Sequence, residues 1–484
     1  MAYKDLREFM AALEERGWLK RIKTEVSAQL EITEITDRVS KLSGDKNVAL
    51  LFENVRGYDY PVLMNAFGSY ERMALALGVE KLDDVADEIR EILKLPYVSL
   101  QNKLSVVSLI PMAKRAINFP KYVKNAPCQE VVETEPDLDK LPILKCWPLD
   151  GGPFVTLPLV FTKNPATGKR NVGMYRLQKY DKTTTGMHWH IHKNGADNFR
   201  DMKAQGGARL EAAVAIGTDP VVTYAATAPL PRDIDEMIFA GFLRHKSVEL
   251  TKCKTVDLEV PATAEFILEG YVDTQESRRE GPFGDHTGYY SLADDYPVFH
   301  VTCITHRRDP IYFATVVGKP PMEDCYLAKA TERIFLPLLQ QMLPEVVDIN
   351  MPLEGVFHDC VIVSIKKTFP MQARKVMHAF WGMGQMMNVK MIIVVDAHVN
   401  VQDLHEVWWR VYNNIDAKHD LEIVEGPLDV LDHSSPMPKW GAKLGIDATK
   451  TWPEEGHARE WPEEIAMSED VKRLVDEKWA SLGL

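Results

Sequence analysis

The part of the sequence that most restricts the fold is its central third, where short apolar runs alternate with turn signals. Between residues 155 and 315 the chain contains runs such as AAVAIG, VVTYAA, AEFILEGYV and VFHVTCITHR. At 156–180 the pattern predicts a strand, an NPATGK turn and a second strand, which is a hairpin. One helical pattern, at 233–243, interrupts the series. So many short strands predict a barrel-like β domain.

The stretches on either side of this β-rich region have helical spacing instead. Around one apolar strand at 48–55, the first hundred residues show helical patterns at 4–16, 28–42, 70–77 and 82–94. They predict a small α/β domain, which is followed by a proline-marked extended linker near 120–150.

Beyond residue 325, helical and strand patterns alternate. The expected helices are at 327–343, 371–387, 403–414 and 470–482, and the expected strands are at 360–366, 389–396 and 421–425. Alternation of this kind predicts a parallel sheet covered by helices.

Composition narrows the class of protein. The formal charge of −13 argues against non-specific binding to nucleic acid or to an anionic membrane. The N-terminus begins as a charged amphipathic helix rather than a signal peptide, and the longest apolar runs are only strand-sized. Six cysteines without CxxC spacing are typical of reduced thiols. We therefore expect a cytoplasmic protein without a cysteine-based zinc site.

Three histidines at alternate positions stand out in MHWHIHKNGA, at 187–196. On a strand, His188, His190 and His192 would share one face. They could form a zinc site, a metal site completed by other ligands, or a polar strand with no chemistry. An amide oxygen such as that of Asn171, an imidazole and a carboxylate would suit Mg²⁺ or Mn²⁺ better than zinc.

A second candidate site is the segment RREGPFGDHTGYY at 278–290. Glu280 and Asp285 flank GPFG, whose glycines and proline favour a tight bend and allow a ligand to approach closely. Two carboxyl groups on one bent loop could act as an acid/base pair, with the pKa of one raised by the other. An ordinary surface turn with incidental charges would show the same pattern.

Several common catalytic signatures are absent from the sequence. There is no GxxxxGK[ST] loop, no GxSxG elbow and no GxGxxG after an early strand. On pattern alone, Glu236, Lys193 and Lys366 are typical of solvated charges.

Taken together, these segments resemble the UbiD family of reversible (de)carboxylases, which use prenylated FMN. The resemblance covers nearly the whole chain. Its most specific parts are NVGMYRLQ, HIHKNGA, DEMIFAGFLR, DLEVPATAEFILEGYV and EGPFGDHTGYY.

The resemblance implies an α+β fold in three parts. These are an N-terminal α/β portion over 1–120, a central split β-barrel of the flavin-reductase type that binds the cofactor over 121–320, and a C-terminal α/β domain for oligomerisation over 321–484. The family forms dimers and hexamers, so a homo-oligomer is expected, and a flavin prenyltransferase would supply the cofactor.

The family's binding residues can be carried over by position. Asn171, His192 and Glu236 match the ligands of a divalent metal, usually Mn²⁺ or else Mg²⁺, that bridges protein and cofactor phosphate. A potassium ion would lie near the backbone of 225–228. The remaining cofactor contacts implied by the resemblance are Met174, Tyr175, Arg176, Trp189, Lys193 and Lys366.

The family's catalytic Glu–Arg–Asp network matches Glu280, Arg176 and Asp285. A covalent adduct between substrate and prenylated FMN would supply the electron sink for loss of CO₂, after which Asp285 protonates the same carbon. Arg176 would orient Asp285, and Glu280 would hold Arg176 through a bidentate pair.

The resemblance leaves the substrate and the direction open. Thr315, Pro320 and His433 match regions that border the family's substrate pocket, and an imidazole there could bind a phenolic hydroxyl. A hydroxyaryl acid, a polyprenyl-hydroxybenzoate of quinone biosynthesis or an α,β-unsaturated acid would fit. The alternatives are an aromatic carboxylase that fixes CO₂, a subunit of a multi-subunit aryl carboxylase, and a zinc hydrolase built on the three histidines.

Overall fold

The computed structural model describes residues 2–99, 118–189, 194–232 and 234–483. Its α-helices are α1 (Leu6–Glu15), α2 (Glu31–Ser40), α3 (Tyr70–Leu77), α4 (Asp83–Ser99), α5 (Asn194–Ala204), α6 (Pro220–Ala225), α7 (Glu236–Arg244), α8 (Glu323–Met342), α9 (Gln372–Trp381), α10 (Leu404–Asn414) and α11 (Glu469–Trp479).

The β-strands belong to several separate sheets. In chain order they are β1 (Leu19–Ile22), β2 (Ala49–Phe52), β3 (Val62–Met64), β4 (Lys121–Tyr122), β5 (Val131–Glu133), β6 (Phe154–Val155), β7 (Leu159–Lys163), β8 (Arg170–Met174), β9 (Leu177–Gln178), β10 (Thr184–Gly186), β11 (Arg209–Ile216), β12 (Glu249–Lys252), β13 (Glu259–Pro261), β14 (Phe266–Glu280), β15 (Phe283–Gly284), β16 (Tyr290–Ser291), β17 (Asp294–His306), β18 (Tyr312–Phe313), β19 (Val346–Asn350), β20 (Cys360–Ile365), β21 (Met391–Asp396), β22 (Leu421–Pro427) and β23 (Trp440–Asp447).

The N-terminal portion is a four-stranded sheet, in the order β1-β2-β3-β18, packed by helices. Helix α1 begins at the N-cap Asp5, whose side chain accepts from the Glu8 amide, and its apolar face buries Leu6, Phe9 and Leu13. Because β18 comes from the far end of the β-rich region, the first two portions share one sheet and one hydrophobic cluster.

The central portion is an antiparallel sheet with the path β10-β17-β14-β11-β7-β8, and β5 adds to β17. The predicted hairpin is confirmed, since β7 and β8 pair from Leu159–Met174 to Lys163–Arg170. The longest pair, β14 with β17, joins Phe266 to His306 at one end and Glu280 to Asp294 at the other. The end of β14 at Glu280 lies where the candidate site forms.

Two predictions for this region are wrong. VVTYAA is helix α6 rather than a strand, because Pro220 occupies its first turn and Asp219 caps its Val221 and Val222 amides. The segment near 120–150 is no free linker, because it adds strands to two sheets and buries Leu138 and Ile143 in the core.

The C-terminal portion is a five-stranded sheet in the order β19-β20-β21-β23-β22, with α9 and α10 on opposite faces. Its centre is parallel, but the edge strands β19 and β22 run antiparallel to their neighbours. The predicted parallel sheet is therefore confirmed at its centre and wrong at its edges, because the edge strands are joined to their neighbours by loops rather than by crossover helices.

Two further features complete the fold. Helix α9 ends at Trp381, earlier than predicted, where Gly382 and Gly384 follow. Within the described ranges, none of the helices combines the length and apolar character needed to cross a bilayer. The mixed α+β architecture expected from the resemblance is confirmed.

Candidate active site

Three polar side chains meet at one end of the central sheet. Arg176 lies between β8 and β9, Glu280 is the last residue of β14, and Asp285 follows β15. The bend between the two carboxylates is fixed by Gln178, whose Oε1 accepts from the Gly281 amide at 2.7 Å. Gly281 has a φ of +93°, which favours glycine at this position. Sequence and topology thus bring together the Glu280–Asp285 pair and Arg176.

The guanidinium of Arg176 links the two carboxylates. Its Nε donates to Glu280 Oε1 at 3.2 Å, and its Nη1 donates to Asp285 Oδ2 at 2.5 Å. The remaining nitrogen, Nη2, donates to Ser291 Oγ at 3.1 Å, and the Phe283 ring lies 4.4 Å from the guanidinium carbon. The predicted bidentate pair with Glu280 is wrong, because the five donors of the guanidinium are divided among three partners.

All three members of this network are shielded from solvent. The exposed fractions of the side chains are 11 % for Arg176, 0 % for Glu280 and 6 % for Asp285. Burial alone would raise the pKa of Asp285, but the charge of Arg176 and hydrogen bonds from His286 outweigh it and hold that pKa well below its ordinary value. The expected raised pKa is therefore not found for Asp285.

The described first part of the histidine-rich segment, residues 187–189, does not continue a strand. Strand β10 ends at Gly186, and Met187, His188 and Trp189 are all buried, without the alternation expected of one exposed and one buried face. His188 Nδ1 instead donates to Glu280 Oε1 at 2.6 Å. Burial, together with Arg176, lowers the pKa of His188, so a neutral imidazole supports Glu280. His190, His192 and Lys193 lie outside the described residues.

A glycine makes room for the Glu280 carboxylate. A Cβ atom at Gly186 would lie 2.6 Å from Glu280 Oε2 and 2.9 Å from the Tyr180 hydroxyl. Only a residue without a side chain leaves the carboxylate in its present position. That oxygen is buried and has no hydrogen-bond partner among the described residues, so it is available to a ligand.

A second buried carboxylate lies at the other predicted site. Glu236 begins helix α7, is 3 % exposed, and its Oε2 accepts from the Val172 amide at 2.8 Å. Asn171 directly precedes Val172 in β8, so the Val172–Glu236 hydrogen bond brings this part of the strand next to the Glu236 carboxylate. Burial raises the pKa of Glu236 to about 8.

The chemistry of this pair fits a bound divalent cation. Asn171 Nδ2 is buried and has no hydrogen-bond partner in the part of the chain that the structure describes, so this N–H group can donate to a bound acceptor such as a phosphate. The amide oxygen Oδ1 is instead the atom that can bind a cation. An amide beside a desolvated carboxylate is the hard oxygen donor set that Mg²⁺ or Mn²⁺ prefers. Within the described ranges no group of three or more His, Cys, Asp or Glu residues could hold a metal. His190 and His192 lie outside these ranges, so the three-histidine zinc site stays a prediction.

The residues expected to line the cofactor surround this pair. Tyr175 and Trp189 are buried, and Trp189 Nε1 has no hydrogen-bond partner among the described residues, which leaves a donor for a ligand. Met174 donates its amide to the Ala226 carbonyl at 3.2 Å, so the 225–228 backbone, the expected potassium neighbourhood, lies against β8.

The other predicted residues are more dispersed. Lys366 is exposed at the end of β20, where its amide donates to the Glu345 carbonyl. The Thr315 hydroxyl donates to Glu323 Oε2 at 2.7 Å, and Pro320 precedes α8. His433 comes from the C-terminal portion, and its ring lies 3.9 Å from that of Tyr289, next to the Asp285 loop.

Sequence reasoning missed two histidines near the network. His286 Nδ1 is 2.8 Å from Asp285 Oδ1, and His286 Nε2 is 2.8 Å from His358 Nε2. His286 directly follows the candidate acid Asp285 in the sequence, and this adjacency was the signal that could have identified it. Nothing local marked His358, since it lies 72 residues away along the chain.

Family models match most of the chain. Models described as the N-terminal, Rift-related and C-terminal domains of 3-octaprenyl-4-hydroxybenzoate carboxy-lyase (UbiD) match residues 10–92, 121–320 and 325–448. An uncharacterized protein of Archaeoglobus fulgidus is 55 % identical over 481 residues, which cover 99 % of this chain and 98 % of the relative.

Solved structures agree with the family models. The closed form of vanillic acid decarboxylase from Sedimentibacter hydroxybenzoicus aligns with a TM-score of 0.87 at 29 % identity, covering 100 % of this chain and 99 % of the other. The UbiD-class enzyme HmfF from Pelotomaculum thermopropionicum, in complex with FMN, aligns with a TM-score of 0.81 at 31 % identity, covering 98 % and 99 %.

Proposed function

The chain belongs to the UbiD family and is a carboxy-lyase of that class, and we propose that it releases CO₂ from an aromatic acid with the help of prenylated FMN. The observation that carries the proposal is the buried Arg176 between Glu280 and Asp285. A hydroxyaryl acid, including a polyprenyl-hydroxybenzoate, is the favoured substrate class, and an α,β-unsaturated acid is the next. The reverse, CO₂-fixing reaction would use the same residues, since both directions share one transition state.

The structural relatives support the cofactor and the substrate class. One relative is a vanillic acid decarboxylase, and HmfF has been solved with FMN and, in an evolved dimeric form, with prFMN. We propose that a flavin prenyltransferase supplies the cofactor to this chain and that the chain works as a homo-oligomer, either a dimer or a hexamer.

The cofactor would be held at the Asn171–Glu236 pair. Together with His192, these residues would bind Mn²⁺, or Mg²⁺, next to the cofactor phosphate, with potassium near 225–228. The flavin itself would contact the set already assigned from the resemblance, which is Met174, Tyr175, Arg176, Trp189, Lys193 and Lys366. When bound, prenylated FMN supplies the electron sink for the charge left by loss of CO₂.

The chain's own residues bind the acid and move one proton. Arg176 is the only described cation that contacts both carboxylates of the network, so it is suited to orient a carboxylate substrate. An anionic substrate beside Asp285 raises the pKa of that carboxyl by like-charge repulsion, which favours uptake of a proton. Asp285 then donates the proton to the carbon that has lost CO₂.

Selectivity would come from residues around the Asp285 loop. We assign Thr315 and Pro320 to the substrate pocket from the resemblance alone, whereas the ring of His433 lies against that of Tyr289 from the C-terminal portion. The imidazole of His433 is exposed and could bind a phenolic hydroxyl of the substrate.

The test is expression with and without a flavin prenyltransferase. We expect flavin absorbance, bound manganese or magnesium, and CO₂ release from hydroxyaryl acids only after co-expression. Arg176→Gln should abolish CO₂ release, whereas Arg279→Gln, at a 65 % exposed side chain, should not. A protein that carries zinc and no flavin under both conditions would overturn the proposal.

A further inference from the structure

A chain of side chains leads outward from Asp285. His286 follows it directly, and both its backbone amide and its Nδ1 approach Asp285 Oδ1, at 2.9 and 2.8 Å. On its other side, His286 Nε2 lies 2.8 Å from His358 Nε2, with the two rings nearly perpendicular at 88°. The Phe357 ring stacks on His286 at 4.9 Å and fixes its orientation.

The two histidines connect the buried acid to the surface. The side-chain exposure is 6 % for Asp285, 19 % for His286 and 17 % for His358, and it reaches 36 % for Asp359. His358 Nδ1 is 3.0 Å from Asp359 Oδ1, although the two atoms are not aligned for a hydrogen bond and the nitrogen itself is buried. The imidazoles therefore bridge the step between a carboxyl group without solvent access and a half-open surface.

The contacts also indicate where the protons are. Two imidazole nitrogens at hydrogen-bonding distance share one proton, so one nitrogen donates and the other accepts. Because Asp285 is an anion, His286 Nδ1 must donate to it. The arrangement that satisfies the contacts of His286 has protons on both of its nitrogens, with His358 accepting at Nε2. The proton of the neutral His358 is then on Nδ1, which has no hydrogen-bond partner among the described residues.

The charges around His286 agree with a doubly protonated ring. Burial lowers the pKa of His286, but the Asp285 carboxylate, with smaller contributions from Asp324 and Asp429, raises it overall. The neighbouring Asp324 carries the reverse effect of the same interaction. Burial raises the pKa of Asp324 to about 6, and the charge of His286 acts in the opposite direction. His358, with Asp359 behind it, is the remaining titratable group in contact with the ring among the described residues.

We propose that His286 and His358 form a proton relay that reloads Asp285 from solvent after each turnover. The inference rests on the proposed function, because release of CO₂ from a carboxylate consumes one proton for every product molecule. The outer histidine belongs to the turn before β20, in the C-terminal portion. The relay is therefore complete only while that turn lies against the Asp285 loop.

The proton steps balance without any further reactant. When the O–H bond of Asp285 breaks and the C–H bond of the product forms, Asp285 becomes a carboxylate. His286 then gives its Nδ1 proton to Asp285 Oδ1 and is left as a neutral ring with its proton on Nε2. This ring changes to the Nδ1–H tautomer by proton exchange, which leaves Nε2 unprotonated. His358 then takes up one proton from solvent and passes it from its Nε2 to His286 Nε2, so both rings return to their starting protonation state.

The first test needs neither substrate nor cofactor. In protein labelled with ¹⁵N-histidine, we expect one histidine ring to keep protons on both nitrogens at neutral pH, where an ordinary histidine has lost one. The signal of this ring is assigned to His286 by its absence from the spectrum of His286→Gln. In His358→Leu that ring should titrate at lower pH, because its Nε2–H has lost its acceptor. An ordinary titration of His286, unchanged in His358→Leu, would overturn the relay.

The second test follows turnover of the loaded enzyme with 4-hydroxybenzoate as the probe. His358→Gln should lower kcat about tenfold, with KM and flavin content unchanged, and move the basic limb of the pH profile downward. Added imidazole should restore part of the rate. His378→Gln, at a 56 % exposed histidine of α9, is the matched control and should behave as wild type.

The two tests separate the relay from the proposed function. If wild type does not act on the probe, the proposed substrate class fails, while the histidine titration still decides the relay. If wild type is active and His358→Gln keeps the wild-type kcat and pH profile, the relay is wrong and the proposed function stands.

Discussion

The two halves of the candidate site differ in how their buried charges are balanced. At the catalytic network, Arg176 is paired with both Glu280 and Asp285, and His188 and His286 complete the hydrogen bonds. At the proposed metal face, Glu236 is equally buried, but its described hydrogen-bond partner is a backbone amide.

This difference predicts which half of the site depends on a ligand. A buried charge that is paired and hydrogen-bonded is stable without any ligand, whereas one without a counter-charge takes up a proton or binds a cation. The lowered pKa of Asp285 and the raised pKa of Glu236 are the two outcomes. The Arg176 network is therefore organised without a ligand, and the proposed metal face is the half that we expect a ligand to complete.

The largest effect should come from Asp285→Asn, which removes the proton donor from the organised half. Turnover of the loaded enzyme should fall by about 10²–10⁴, the usual contribution of a general acid. Flavin and metal content should not change, because Arg176 keeps Glu280 as a partner. The measurement is CO₂ release beside the absorbance spectrum.

Asp295→Asn is the matched control for this substitution, since its side chain is 65 % exposed on the neighbouring strand β17. Near wild-type turnover in Asp285→Asn would mean that Asp285 is not the proton donor. The Arg176 network could then no longer be treated as the catalytic half of the site.

Glu236→Gln should remove both the pH dependence of stability that arises from Glu236 and the stabilisation by a bound metal ion. Because the pKa of Glu236 is raised to about 8 in the fold, the folded state holds the proton more tightly than the unfolded state. Stability of the metal-free protein should therefore fall as pH rises from about 4.5 to about 8, by about 1.4 kcal/mol for each unit of pKa difference. The variant should lose this slope.

Thermal unfolding at several pH values, with and without Mn²⁺, measures both consequences. Manganese should raise the unfolding temperature of wild type at pH 8 and not that of Glu236→Gln. Glu249→Gln, at an exposed carboxylate of β12, serves as control. An equal response to Mn²⁺ in wild type and Glu236→Gln would mean that Glu236 is not a ligand.

The smallest effect is expected from Gly186→Ala, which disturbs the catalytic network without removing any member. The new Cβ would lie 2.6 Å from Glu280 Oε2, so the carboxylate must move from Arg176 and His188. We expect kcat to fall about tenfold through misplacement of charged groups, with metal content unchanged.

Gly382→Ala tests whether any added methyl group has this effect. Its Cβ would meet only the backbone carbonyl oxygens of His378, at 3.4 Å, and Ala379, at 3.8 Å, which is close to ordinary contact. Equal activity losses in the two variants would argue against a specific role for the space at Gly186.

Local patterns were enough for much of the fold. Helix α3 has the predicted bounds, Tyr70–Leu77, because Ser69 caps it and Gly78 ends it in the left-handed conformation. The β7–β8 hairpin follows from its turn residues. The prediction failed at α6, where the N-cap Asp219 and Pro220 outweighed a run of β-branched residues that had suggested a strand.

Most helices and strands, and the loop that carries Glu280 and Asp285, could be read from the sequence because they depend on side chains a few positions apart. Long-range packing was needed to bring His188 to Glu280 and to join His358 to His286 across 72 residues. The same packing lowers the pKa of Asp285 and raises that of Glu236. Burial and charge pairing depend on which distant strands and loops pack together, and no local pattern carries that information.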